Sequence, residues 1–165
     1  MNKKGFTLIE LLLYLGLASV MVLVMSAFLF FMMQNRVKSQ TMMEVEQQGA
    51  VVMQIVSQAV RNASLINSPA IGASASSLSI DTAVVGNNPT VFDLSSGALR
   101  IKQGGATAVN LTNSRVVVSA LTFQNLGQAG TSGIIRGQFT VSYLNPDNRN
   151  IYEYEKTFIF SAAKR

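Results

Sequence analysis

The sequence contains no cysteine and no histidine. Lack of cysteine excludes a disulfide framework and a thiolate metal site. Without either residue, serine-hydrolase triads, thiol proteases and the usual zinc centres each lose a required member, leaving only carboxylate or lysine chemistry for an enzyme. Proline is also scarce: the first of three is Pro69, so nothing earlier forces a helix to break. Charged residues make up 13% of the chain, and residues 11–33 carry none.

That charge-free stretch is 23 residues long, and its polar members are Tyr14, Ser19 and Ser26. As a helix it spans a hydrocarbon layer about 30 Å thick. The rest of the 165-residue chain has room for one modest domain with a small core. The net charge of +5 and pI of about 9.8 invite a nucleic-acid reading. They support it weakly, because Lys3 and Lys4 precede the apolar run and the other basic residues are scattered singly or in pairs, without a stripe that would track phosphates.

The chain opens MNKKGFTLIELLLYLGL. A basic start before an apolar run is shared with secretory signal peptides, yet the run exceeds their usual 7 to 15 residues. Ser26-Ala27 is followed by Phe28, Leu29, Phe30 and Phe31 rather than by a mature polar segment. The plain reading is a retained membrane helix, its amino end held on the cytoplasmic side by Lys3 and Lys4, with Arg36 and Lys38 weakening that bias. Glu10 is the anomaly. A carboxylate at a helix centre in lipid costs roughly 2.5 to 3.5 kcal/mol, and less near the interface, so it persists where it has a partner or a function. The alternative is an ordinary anchor whose Glu10 lies among the headgroups.

The segment Gly5-Phe6-Thr7-Leu8-Ile9-Glu10 resembles the processing site of type IV pilins and the related type II secretion pseudopilins, a G-F-T-L-x-E pattern before a hydrophobic helix. The resemblance implies that a prepilin peptidase, a membrane aspartyl enzyme that is also a methyltransferase, cuts between Gly5 and Phe6. Residues 1–5 are then a leader and Phe6 the N-methylated first residue. It implies residues 6–35 as a transmembrane and filament-core helix, and residues 36–165 as the rest of the helix with an extracytoplasmic β-rich domain. Glu10 would neutralise the amine of Phe6 on a neighbouring subunit. The partners implied are other pilins or pseudopilins through the N-terminal helix, an inner-membrane assembly platform and the lipid bilayer. The implied location is a single-pass inner membrane protein, amino end cytoplasmic, assembled into an envelope-spanning or surface filament. No cofactor, metal or catalytic residue is implied. Ser19 and Ala27 stand where many major pilins carry Gly and Pro, which points to a minor subunit. Residues 52–63, the L-x-I run Leu99 to Ile101, residues 116–123 and the basic tail Lys164-Arg165 are similar to minor components of the pseudopilin J or PilW-like kind. A major pilin and a DNA-binding tip pilin are the alternatives, the latter requiring Arg61, Arg100, Lys102, Arg115, Arg136 and Arg149 to converge.

Beyond the apolar run, Met42, Val45, Gly49, Val52, Val56, Ala59, Ala63 and Ile66 recur at steps of three and four, one face of a helix widened by Val51 and Ile55. One helix from residue 6 to residue 66 is expected, with a dimeric coiled coil disfavoured by the Ala and Gly in the seam. Strands are expected over 78–85, 98–102, 108–111, 116–123, 134–144 and 151–160. Asn145 to Asn150 reads as a hairpin loop, and 87–89, 95–97, 104–105 and 127–133 as turns or loops. The fold class is therefore α+β and pilin-like: one long N-terminal helix on a mostly antiparallel sheet. Asp147 among Asn145, Asn148 and Asn150 reads as a turn stabiliser rather than a calcium ligand. Glu153 and Glu155 share a strand face in this reading, but solvent exposure argues against glycosidase chemistry.

Overall fold

A computed structural model describes Gly5, residues 7–128, Gly130 and residues 133–165. Lys3, Lys4 and Phe6 lie outside the described residues, as do three positions of the 127–133 loop. Helix α1 spans Leu8–Arg61. Nine strands follow: β1 Ala63–Ser68, β2 Ser74–Ala75, β3 Leu78–Thr82, β4 Thr90–Ser95, β5 Ala98–Gln103, β6 Val109–Asn110, β7 Val116–Asn125, β8 Ile134–Tyr143 and β9 Glu155–Ala163. The chain divides into two compact units, Met1–Ser39 and Gln40–Arg165.

Within the first unit, every described residue from 7 to 36 is exposed, whatever side of the helix it occupies. In the second unit, burial along α1 falls on Thr41, Val45, Gly49, Val52, Val56 and Val60. These repeat every three or four residues and form the stripe that the sequence period requires. The stripe has shifted slightly from the expected one: Thr41 and Val60 are buried, Ala59 is half-buried, and Met42 and Val51 are exposed. Gly49 sits under the Phe158 ring, whose atoms come within 2.2–2.6 Å of where a Cβ would stand. Glycine in mid-helix costs about 1 kcal/mol relative to alanine. Here it lets an aromatic ring seat against the helix backbone.

The strands form two antiparallel sheets rather than one, a five-stranded sheet ordered β1-β3-β4-β5-β6 and a four-stranded sheet ordered β2-β7-β8-β9. One apolar cluster unites the α1 stripe with Leu78, Ile80, Phe92 and Leu99 of the first sheet and Val118, Phe123, Ile135, Phe139 and Phe158 of the second. Phe139 stacks on Phe158 at 5.5 Å. Truncating a buried ring of this kind typically costs about 3–5 kcal/mol. The β4–β5 hairpin closes through Ser96 and Gly97, both at positive φ, in the two-residue turn that matches strand twist.

Several expected boundaries are corrected. The helix stops at Arg61 instead of residue 66, and Ala63–Ser68 becomes an edge strand paired with β3. Ser64 donates to the Asp81 carbonyl and Asn67 to the Asp81 carboxylate. These bonds run across to β3 and reinforce the strand pairing that replaces the last helical turn. Residues 83–85 leave the expected strand for a 3-10 turn at Val85–Asn87, pinned by Asn88, whose side chain bonds the Thr82 amide and carbonyl. Strands β2 and β4 were not expected; β4 alternates Thr90, Phe92 and Leu94 inward. The last strand begins at Glu155 rather than residue 151, because Asn150–Tyr152 forms a 3-10 turn. Glu153 caps that turn and Glu155 opens the strand, so the two do not share a strand face.

Candidate functional site

At the amino end, the Thr7 carbonyl accepts the Glu10 amide at 3.1 Å and the Leu11 amide at 3.2 Å, which starts α1. Thr7 and Glu10 stand three residues apart, the spacing of a helix-starting box, and Glu10 lies in the first turn. A negative charge there meets the positive end of the helix dipole and contributes about 0.3–1 kcal/mol.

The two serines of the apolar stretch bond back onto their own helix. Ser19 Oγ donates to the Gly16 carbonyl and Ser26 Oγ to the Val22 carbonyl, both at 2.8 Å. Their hydroxyls therefore enter an apolar surrounding already satisfied. The Glu10 carboxylate is exposed and, among the described residues, has no ion-pair partner in its own chain. Gly5 is also exposed and lies outside any helix or strand. The segment is accordingly a predominantly apolar helical surface with one carboxylate near its start and an accessible glycine just before it. By length and composition this helix is able to cross a membrane.

The basic residues proposed for DNA are spread over several elements, and two are already matched. Arg100 makes a two-pronged pair with Asp93, at 3.0 and 2.7 Å, and this bonding raises its pKa. Arg115 lies 3.8 Å from Glu44. Arg61 lines an open pocket of about 470 Å³ with Arg165. In the 145–150 loop it is Asn145, not Asp147, that braces the turn, accepting from the Arg149 amide and donating to the Arg149 carbonyl. Among the described residues, no group of three acidic side chains is placed to hold a metal.

Two further clusters were not legible in sequence. Glu46 of α1 accepts from Lys156 Nζ at 2.6 Å and from the Tyr154 hydroxyl at 3.2 Å. The Lys156 bond holds the Glu46 carboxyl below its ordinary range, and its counterpart raises Lys156. Tyr143, Tyr152 and Tyr154 line one pocket with Glu153 and Glu155.

No curated protein and no solved structure matches the chain. Residues 1–26 match the family described as the prokaryotic N-terminal methylation motif. That motif implies processing by a prepilin peptidase and assembly with other pilins. Joined to one long N-terminal helix packed on antiparallel sheets, it supports a pilin-like chain anchored through its apolar helix.

Proposed function

We propose that the protein is a minor pilin or pseudopilin, a structural rather than catalytic subunit. It is processed between Gly5 and Phe6 and helps to initiate or cap a pilus-like filament, for pilus assembly, DNA uptake or type II secretion. The observation that carries this reading is the Glu10 carboxylate within a methylation motif, at the start of a helix whose residues 8–36 are exposed on every side. Such a surface is stable in lipid or against other apolar helices, and a bundle of those helices excludes water. Each incoming subunit then brings a charged amine, and Glu10 of its neighbour supplies the counter-charge. An ion pair in an apolar bundle holds when its geometry is good and is costly when half is missing, so it checks register. The minor role draws support from the lack of cysteine and from Ser19 and Ala27 in place of Gly and Pro, and its pseudopilin J or PilW-like kind from the similarity of residues 52–63, 99–101 and 116–123.

The test is Glu10→Val. Membrane retention and cleavage to a chain beginning at Phe6 are expected to persist, since the Gly5 to Phe6 bond and the flanking lysines are unchanged. Co-purification with other filament subunits is expected to be lost, because an unpaired buried amine costs roughly 3–5 kcal/mol. Unchanged co-purification would refute the pairing role, and a mature chain starting after Ala27 would refute the pilin reading itself.

A further inference from the structure

Three of the four tyrosines in the chain line one open pocket of about 280 Å³ where β8 ends and β9 begins. Tyr143 is the last residue of β8, and its amide donates to the Tyr154 carbonyl at 3.1 Å. Tyr152 reaches it from the 3-10 turn, and the Tyr143 and Tyr152 rings stack at 5.7 Å with planes only 14° apart. Glu153 and Glu155 complete the lining, with Ser142 and Asn145. The Asn145 bonds to both the amide and the carbonyl of Arg149 fix the loop leading into this wall.

Aromatic faces carry partial negative charge, and two carboxylates beside them add full charges. Such a lining repels anions and attracts a cation. Among the described residues, no basic side chain lines the pocket, and the nearby Lys156 is committed to Glu46 and lies over the Phe158 ring, 5.5 Å from its centroid. Among the described residues, neither Glu153 nor Glu155 is in an ion pair. A planar guanidinium stacks flat on a ring while its fork of N–H groups reaches a carboxylate, which a compact ammonium does not do.

We propose that this pocket docks an arginine side chain presented by a partner protein. The inference goes beyond filament assembly through the apolar helix and does not depend on it, because its test reads peptide binding alone.

The full-length protein in detergent, with ring-labelled tyrosines, is titrated with acetyl-Gly-Arg-Gly-amide, the matched citrulline peptide and tetramethylammonium, and followed by nuclear magnetic resonance. The arginine peptide is expected to shift the Tyr143 and Tyr152 resonances and leave Tyr14 unmoved. The neutral citrulline peptide should bind at least about tenfold more weakly, as should the arginine peptide to the Glu153→Gln, Glu155→Gln double variant. Tyr152→Phe should keep binding and Tyr152→Leu should lose it, with near-ultraviolet circular dichroism confirming that each variant is folded. Equal response to arginine and citrulline, no response to either, or undiminished binding by the double variant would overturn the proposal. So would tetramethylammonium binding more tightly than the arginine peptide, since the pocket would then serve a small cation.

Discussion

Glu46 and Lys156 show what a single contact does between elements distant in sequence. Both side chains are partly exposed, so their pair is screened and modest in strength. Its sign with pH is nevertheless defined. Glu46 titrates below its ordinary value of 4.5 in the folded chain, so its contribution is complete above that value and is lost as pH falls through the lowered one. Lys156 titrates above 10.5, so its contribution holds below that value and disappears as pH rises through the raised one. Thermal midpoints of the natural chain and of Glu46→Gln should therefore differ by a constant amount near neutrality, and the difference should shrink below about pH 4.5. A gap that stays constant down to about pH 3 would show that the carboxylate charge contributes nothing.

At the scale of the element, β7 changes face midway. Val116 and Val118 are buried, then Leu121, Phe123 and Asn125, so the inward parity moves from even to odd. The change occurs at a bulge between Ser119 and Thr122, where Ala120 takes φ 49°. An extra residue in one strand allows both halves to face the same core. By β-propensity alone Ala120→Val should stabilise this strand. The left-handed backbone reverses that expectation: the branched side chain should cost about 1–2 kcal/mol, while Ala120→Asn should be close to neutral. Ala120 is exposed, so packing does not confuse the comparison. Urea midpoints of the two variants decide it, and a Val variant as stable as the Asn one would rule out strain at the bulge.

At the scale of the whole molecule, the two compact units differ in what surrounds them. The first exposes its apolar side chains from residue 8 to residue 33, whereas the second buries its own around α1 and both sheets. Deleting residues 1–37 is therefore expected to give a soluble, cooperatively unfolding domain, because Thr41, Val45 and the rest of the buried stripe remain. Sharp near-ultraviolet tyrosine bands and a single unfolding transition would bear this out. Weak, featureless bands would mean that the helix-on-sheet core needs the deleted segment.

The sequence by itself determined the features that depend on neighbours along the chain. A run without charge or proline dictates a long apolar helix, spacing of three and four marks its buried face at Val45, Val52 and Val56, and alternation marks β8 through Phe139 and Val141. The processing motif is of the same kind, a contiguous signal around Gly5 and Glu10. What only the tertiary structure decided depends on residues remote in sequence. Residues 63–68 fit the helical period as well as they fit a strand, and pairing with β3 makes them a strand. The strands divide into two sheets because β2 and β9 join β7 and β8, a choice that no local pattern carries. Tyr143 and Tyr152 become one aromatic face only when the chain turns between β8 and β9, since ring stacking depends on where the backbone carries each side chain and not on the interval between them.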